Sequence, residues 1–377
     1  MVRIGIAGIG QIAEDYISLF AEGKIKDGKI TALSSRNQER VGSIVSTYKL
    51  GDVRTFTSLE DMLEEDAVDA VIITTPHTLH PAMAELALRR GKHVLVDKPL
   101  GIKASELTEL VRLSEENAHL VSAVMLNRRS SDLYQRVKDI AESGQLGELR
   151  RALWQITNLY RTYAYYGTST WRGSYLTEGG GVLMNQAVHQ LDLLLWIIGM
   201  PEKAHAFMKE GFHRPMTTEN DVILNLFYES GASATFLAST HESPGTNRLE
   251  LSFDKGQMVV EEDRVLTIRR LSECEEDFAK KESTYFTHVP CEVERFEIPV
   301  TPNKVEQART INNFIASILG QEKILASFKE GLRSVQVINS AYLSAWSEMT
   351  VDLHFLPEEY DQYWERKLAQ QDQDSRR

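Results

Sequence analysis

Three stretches of this 377-residue chain combine residue types and spacings that can do chemistry. The first is Gly8-Ile9-Gly10-Gln11-Ile12-Ala13, a G-x-G-x-x-A pattern directly after the apolar run Val2–Ala7. In such a turn Gly8 permits the tight bend, Gly10 lets backbone approach a pyrophosphate, and the small Ala13 allows close helix–strand packing. Gln11 and Ile12 open the expected helix, whose unpaired N–H groups and positive dipole end favour phosphate. At the end of the second strand an acid would bond the ribose 2′-hydroxyl of NAD. The chain has Ser34-Ser35-Arg36 there. Ser35 can donate a hydrogen bond and Arg36 a charged fork, which favours NADP(H) over NAD(H). The plainer alternative makes Arg36 a solvated surface arginine.

The second stretch is His93-Val94-Leu95-Val96-Asp97-Lys98-Pro99. It puts Lys98 at the C-terminal end of a buried strand, the edge where doubly wound sheets bind ligands. Pro99 restrains Lys98 to extended backbone. A lysine partly desolvated beside a cationic nicotinamide has a lowered pKa, which suits proton exchange with a substrate hydroxyl. Its bland counterpart is a solvated lysine in a turn.

The third is Gly179-Gly180-Gly181, followed by an apolar helical pattern carrying Asn185, His189 and Asp192. Spacings of four and three put these polar residues on one helix face. The glycines allow close approach to a ligand or to another backbone, and a histidine so placed can move a proton near neutral pH. The competing reading is an amphipathic helix whose polar side meets water. Just upstream, Tyr160, Tyr163, Tyr165, Tyr166, Trp171 and Tyr175 lie among Arg161 and Arg172, as in a loop that walls a pocket. Such aromatics equally anchor a long loop or a subunit contact.

The elements that must position these groups fall into two sets. Val2–Ala7, Ile30–Ser34, Val68–Thr74, His93–Val96 and Leu120–Met125 read as strands. Helical patterns lie between several of them, at 12–20, 79–90 and 105–116. That alternation implies a parallel sheet covered on both faces. After Asn127 the character changes. Leu149–Leu159, Val222–Tyr228, Ser233–Ser239, Leu249–Phe253, Met258–Val260, Val265–Arg269 and Val293–Ile298 read as strands joined by hairpins, with Asp254-Lys255-Gly256 supplying a positive φ at one turn. Helices return at 305–319 and 331–346, and the segment after Asp361 reads as a frayed polar tail. The expected class is α/β: a dinucleotide-binding domain over 1–126, a second α/β domain over 127–360 with a mostly antiparallel sheet, and a tail over 361–377.

Composition limits the rest. Hydrophobic residues make up 42% and charged residues 25%, which excludes disorder, collagen-like repeats and a disulfide-stapled miniprotein. The 42 basic and 54 acidic side chains leave a net charge of −12, the wrong sign for wholesale nucleic-acid binding. Cys274 and Cys291 are expected as reduced thiols. No metal site is expected. The apolar run Leu191–Met200, interrupted by Asp192, falls short of the about 20 residues a bilayer needs. No targeting segment is apparent before the first strand, so the expected location is cytoplasmic, with no membrane partner.

Taken in order, GIGQIA at 8–13, SSR at 34–36, TTPHTLH at 74–80, VDKPLG at 96–101, LGELRR at 146–151, WRG at 171–173, GGGVLMNQAVHQLD at 179–192 and EGLRSVQVINSAYLSAW at 330–346 resemble the glucose-fructose oxidoreductase / inositol dehydrogenase / MocA (Gfo/Idh/MocA) family over nearly the whole chain. The resemblance implies a Rossmann domain followed by an α/β domain with a large open sheet, through which members form dimers or tetramers. It carries the family's lysine to Lys98 and its helix histidine to His189, and assigns Thr75, Pro76, His77, His80, Asp97, Trp171 and Arg172 to the cofactor. Lys98, Tyr163, Tyr166, Asn185 and His189 are then expected around the substrate. Three departures stand out: Asp97 replaces the family's Glu, His77 its Asn, and Asn185 the Asp four residues before the histidine. An amide cannot shuttle a proton, so Asn185 would orient a substrate hydroxyl and leave proton transfer to Lys98 or His189. The implied activity is NAD(P)-dependent hydride transfer to or from a secondary alcohol or ketone of a sugar, cyclitol or glycoside. The alternatives are a cofactor-binding sensor without turnover, which Asn185 would permit, and an enzyme that retains its NAD(H) through the cycle.

Overall fold

A computed structural model of the protein describes residues 1–167, 171–354 and 357–375. The chain forms two units, each built around its own sheet.

The first unit comprises Met1–Ser130, Thr177–Gly179 and Pro302–Val335. Its strands are β1 (Val2–Ala7), β2 (Gly28–Ser34), β3 (Arg54–Phe56), β4 (Ala70–Ile73), β5 (His93–Val96) and β6 (Ser122–Val124). They pair in parallel in the order β3-β2-β1-β4-β5-β6, so the strand order reverses between β1 and β4. Alternation of side chains divides each strand between two cores. Ile72 and Leu95 join Ile4, Ile6 and Leu33 on one face. Val71, Ile73, Val94 and Val96 join Met62 and Leu107 on the other. This is the pattern of a sheet covered on both sides.

The sequence reading kept residues 127–360 together, whereas Pro302–Val335 returns to the first unit. The cause is apolar burial. The helix Asn303–Ile318 drives Ile311, Phe314 and Ile315 into the core that holds Ile4 and Ile17. In this unit the helices Gln38–Thr47 and Leu59–Glu64 and the strand β3 went unread, as did, further along the chain, the helix Asp132–Glu142 and the strand Lys203–Glu210.

The second unit comprises Ser131–Leu176, Gly180–Thr301 and Gln336–Arg377. Its strands are β7 (Leu149–Ile156), β8 (Lys203–Glu210), β9 (Glu219–Phe227), β10 (Ser233–Ser239), β11 (Asn247–Phe253), β12 (Gly256–Glu261), β13 (Val265–Leu271), β14 (Cys291–Glu297) and β15 (Val351–Asp352). Their order is β14-β13-β12-β11-β7-β10-β9-β8-β15, antiparallel except where β7 meets β10. One face buries Trp154, Phe236, Leu224, Leu249, Met258 and Ile268. The other leaves Leu153, Phe207, Ile223 and Phe227 exposed. Gly231 takes a positive φ at its hairpin. Gly256 instead lies in β12, opposite Phe253, and the hairpin turn is Asp254-Lys255. Cys274 and Cys291 are free.

The expected frayed tail is a helix, Pro357–Ser375. Tyr360 and Trp364, one turn apart, are buried against Trp346, and Trp364 also packs on Tyr175. Lys367 adds a 2.6 Å ion pair to Glu210. Among the described residues no single helix is long and apolar enough to cross a membrane.

Candidate active site

In the first unit the parallel register lines up four strand ends. Ser34 pairs with Ala7, Ala7 with Ile73, and Ile73 with Val96. Gly8, Ser35, Thr74 and Asp97 therefore leave the sheet side by side at its C-terminal edge, at the reversal of strand order. Ligands bind at this place in doubly wound sheets.

Gly8 has φ +92°. Its N–H donates to the Ser34 carbonyl at 2.9 Å, and its own carbonyl accepts from Thr74 Oγ1 at 2.6 Å. A Cβ here would come within 2.7 Å of Thr75 Cγ2. Gly10 differs, since a Cβ built on it meets no atom within 4 Å. It is the N-cap of the helix Gln11–Ala21, and no side chain caps that terminus. Gln11 and Ile12 are exposed while Ala13 is fully buried. Open space before uncapped N–H groups fits a pyrophosphate. Next to it, Ser35 is half-buried, with its hydroxyl accepting from Asn37 N at 3.2 Å. Arg36 is exposed and has no hydrogen-bond or ion-pair partner among the described residues.

The loops after β4 and β5 are tied by histidine. His80 is fully buried, with Nε2 2.7 Å from the Thr75 carbonyl and Nδ1 2.7 Å from the Pro99 carbonyl. Pro76 precedes the 3-10 turn that carries His77. His77 is buried, and its Nδ1 lies 2.8 Å from the Glu178 carbonyl. Burial, then the nearby His80 and Lys98, push the His77 imidazole down to about 3, so it stays neutral. Asp97 accepts from the Tyr16 hydroxyl at 2.9 Å. Lys98 follows, half-buried.

In the second unit the glycine run leads into something other than one straight helix. Val182–Gln186 is a π-helical turn, Ala187 breaks it, and Val188–Ile198 continues as α-helix. The 182–186 turn, taken with the short helical stretch before it, meets the following helix at a bend of 56°. Asn185 and His189 flank the break, and both are half-buried where most of their neighbours are fully buried. Asp192, expected on the same stripe, is 2% exposed and belongs to the interior.

The break is held by a residue the sequence reading passed over. Glu219 is fully buried. It accepts from Gly181 N at 2.8 Å, Leu183 N at 3.0 Å and the Tyr342 hydroxyl at 2.9 Å. Gly180 and Gly181 serve that packing, since a Cβ on them would meet Tyr342 Oη and the Glu219 carbonyl, both at 1.9 Å. No sequence signal marks Glu219. A bulge pairs Lys209 with Asp221 but Glu210 with Glu219, and this turns the carboxylate inward from a polar stretch at the strand start. Burial pushes the Glu219 carboxyl up to about 8, against the pull of its hydrogen bonds.

The aromatic loop divides. Tyr163 is exposed, whereas Tyr166 is buried with its hydroxyl 3.1 Å from Thr240 Oγ1. Trp171 and Arg172 are half-buried, the guanidinium 5.0 Å over the Trp171 ring and 4.4 Å over that of Tyr165. Among the described residues no group of three or more His, Cys, Asp and Glu is placed to hold a metal ion.

Residues 2–124 match the model of an oxidoreductase family with an NAD-binding Rossmann fold, and residues 134–259 match the Gfo/Idh/MocA C-terminal domain. The chain belongs to the Gfo/Idh/MocA family. That makes it an NAD(P)-dependent oxidoreductase. Among relatives, a 1,5-anhydro-D-fructose reductase from Ensifer adhaerens is 26% identical over 67% of this chain and 73% of its own length. A scyllo-inositol 2-dehydrogenase (NADP(+)) from Bacillus subtilis is 26% identical over 55% of this chain and 61% of its own. The WlbA dehydrogenase from Bordetella pertussis, solved with NADH and UDP-GlcNAcA, superposes with a TM-score of 0.76. That match covers 94% of this chain and 99% of the other at 22% identity, a likeness of fold.

Two predictions follow from these contacts. Gly8→Ala, forced against Thr75 at a positive φ, lowers the melting temperature. Gly10→Ala keeps stability within about 1 kcal/mol yet weakens NAD(P)H binding about tenfold or more, measured by fluorescence titration. Equal cofactor affinity in Gly10→Ala and wild type would remove the open turn from the cofactor site. The second concerns Glu219. With its folded-state pKa above the unfolded value, the native state binds the extra proton, so its contribution to stability falls as pH rises from about 4.5 to about 8. Urea denaturation of wild type and Glu219→Gln should show wild type losing ground across that window and levelling off above it. A pH-independent difference would contradict burial as the dominant influence.

Proposed function

We propose that this family member prefers NADP(H) and moves hydride between the nicotinamide and a secondary alcohol or ketone of a sugar, cyclitol or glycoside. The observation that carries the reading is the open, uncapped turn at Gly10, at the reversal of strand order. Preference for the 2′-phosphate is supported by Ser35 and the exposed Arg36, in a position where no carboxylate stands to repel it. When bound, the cofactor supplies the hydride chemistry. Gly8, Gly10, Gln11 and Ile12 would hold the pyrophosphate; Thr75, Pro76, His77, His80, Asp97, Trp171 and Arg172 would contact the remainder. The substrate class is supported by family membership and by the sugar and cyclitol enzymes among its relatives.

Lys98 and His189 are the groups we assign to the hydroxyl proton. Both are half-buried, and each can hold or release a proton. Asn185 and Tyr163 would orient the ring. Neutral His77 can only donate or accept a hydrogen bond. A panel of cyclitols, free sugars, glycosides and sugar nucleotides, run with NADPH and NADH in parallel, tests the reading. The expected result is turnover with at least one substrate, a higher kcat/KM with NADPH than with NADH, and near-complete loss of kcat in Lys98→Met with cofactor binding retained. Near-normal kcat in that variant would refute the role of Lys98.

A homo-oligomer is the second part of the proposal, a dimer or tetramer joined through the open face of the large sheet. It is supported by Leu153, Phe207, Ile223 and Phe227, exposed on that face. Light scattering should give a multiple of the monomer mass, reduced by Ile223→Glu. A monomeric wild type would rule this out.

A further inference from the structure

Two arginines of the second unit are met by carbonyls and ring faces rather than by acids. Arg161 Nη1 donates to the carbonyls of Leu159 at 3.2 Å and Tyr160 at 2.9 Å, and its guanidinium lies 5.2 Å over the Tyr165 ring. Arg214 donates from Nε to the Arg161 carbonyl and from Nη1 to the His213 carbonyl, both at 2.5 Å. Its guanidinium stands 5.0 Å over Tyr160 and 5.8 Å over Tyr163. Both arginines are half-buried. Among the described residues neither meets a carboxylate, and Nη2 of each has no protein acceptor. Elsewhere Arg3, Arg40, Arg54, Arg90, Arg112, Arg129 and Arg248 all pair with acids.

The pair is built into the same unit as Asn185 and His189. Arg161 N donates to the Thr240 carbonyl at 2.9 Å, which fixes the loop to the end of β10. Tyr165, under Arg161, accepts from Gln186 Nε2 at 3.3 Å, one residue from Asn185. A guanidinium whose charge is met only by carbonyls and ring faces keeps its remaining donors, Nη2 of each arginine among them, for an oxyanion.

We propose that Arg161 and Arg214 form an anion-binding subsite for the substrate, which is therefore a sugar derivative bearing a carboxylate or a phosphate. The inference rests on the oxidoreductase reading above and narrows its substrate class. Carbohydrate hydroxyls would be oriented at Asn185 and His189, with the charged group at the arginines.

The test is calorimetric titration of the protein–NADP⁺ complex with glucose, glucuronate, glucose 1-phosphate and UDP-glucose. At least one anionic probe is expected to bind about tenfold or more tightly than glucose. Glucuronate alone would mark a carboxylate as the recognised group; the phosphorylated probes would mark a phosphate. Arg161→Gln and Arg214→Gln should each abolish the preference, with melting temperature and NADPH affinity kept. Arg214→Lys, which keeps the charge but loses the fork, should restore part of it. Equal binding of glucose and the anions, binding of none, or a preference that survives in both Gln variants overturns the proposal. So does loss of NADPH affinity along with it, which would give the arginines to the cofactor. NADPH binding by wild type, measured in the same cell, tests the oxidoreductase reading separately.

Discussion

A carboxyl group without access to water holds the backbone from which Asn185 and His189 project. Burying Glu219 is costly, and the structure offsets that cost with two backbone N–H groups and a tyrosine hydroxyl. Much of the local structure follows. Two N–H groups converging on one side chain bring the chain so close to β9 that Gly181 has no room for a Cβ, while Tyr342 closes the space at Gly180. The helix then starts as a π turn, its Ala187 N–H reaching back to the Val182 carbonyl at 2.7 Å, and breaks before continuing. Without that break the 185 and 189 positions would share a regular face with Asp192. With it they flank a bend, while Asp192 goes to the interior. Tyr342 extends the clamp into the aromatic layer of Tyr175, Trp346, Tyr360 and Trp364, so the C-terminal helix supports the same backbone.

The first unit uses a related device. His80 sits where two loops must be held at fixed separation, with one ring nitrogen at the Thr75 carbonyl and the other at that of Pro99. Tyr16 reaches from the first helix to Asp97. Two of the loops proposed to meet the cofactor, after β4 and β5, are thus fixed by buried polar side chains from their own unit. Positioning of this kind depends on packing, which is why a change of one methyl group at Gly8 is disruptive and the same change at Gly10 is sterically free.

What was legible in the sequence follows from the same physics. Apolar β-branched runs and a glycine turn between strand and helix are local patterns: the run read as a strand over Val68–Thr74 holds the strand Ala70–Ile73, and the turn stands where it was read. The helix Gln38–Thr47 shows only Val41 and Ile44 to the core, too sparse a stripe to register. The tail was misread because its polar residues outnumber Tyr360 and Trp364, although their i, i+4 spacing is the helical signal. Return of residues 302–335 to the first unit depends on which core Phe314 enters, and composition carries no trace of that. Glu219 was invisible for a sharper reason. Its burial depends on one extra residue in a strand pairing, and in the sequence Thr218-Glu219-Asn220-Asp221 looks like any solvated turn.

Substitution of the family's Asp by Asn185 acquires a physical reason once the arginines are considered. A carboxylate at position 185 would add negative charge to the unit proposed to receive an anion, and like charges repel more strongly as they approach. An amide removes that repulsion while still offering a donor and an acceptor to a ring hydroxyl. The same change takes away the group that would stabilise a charged His189. Proton traffic then has to rest on groups that ionise without that aid. His77, held neutral by burial, does not qualify. Under the proposed anion subsite, Asn185 and the carboxylate-free arginines at 161 and 214 would fit together, since both leave negative charge out of the wall that an anionic substrate would meet.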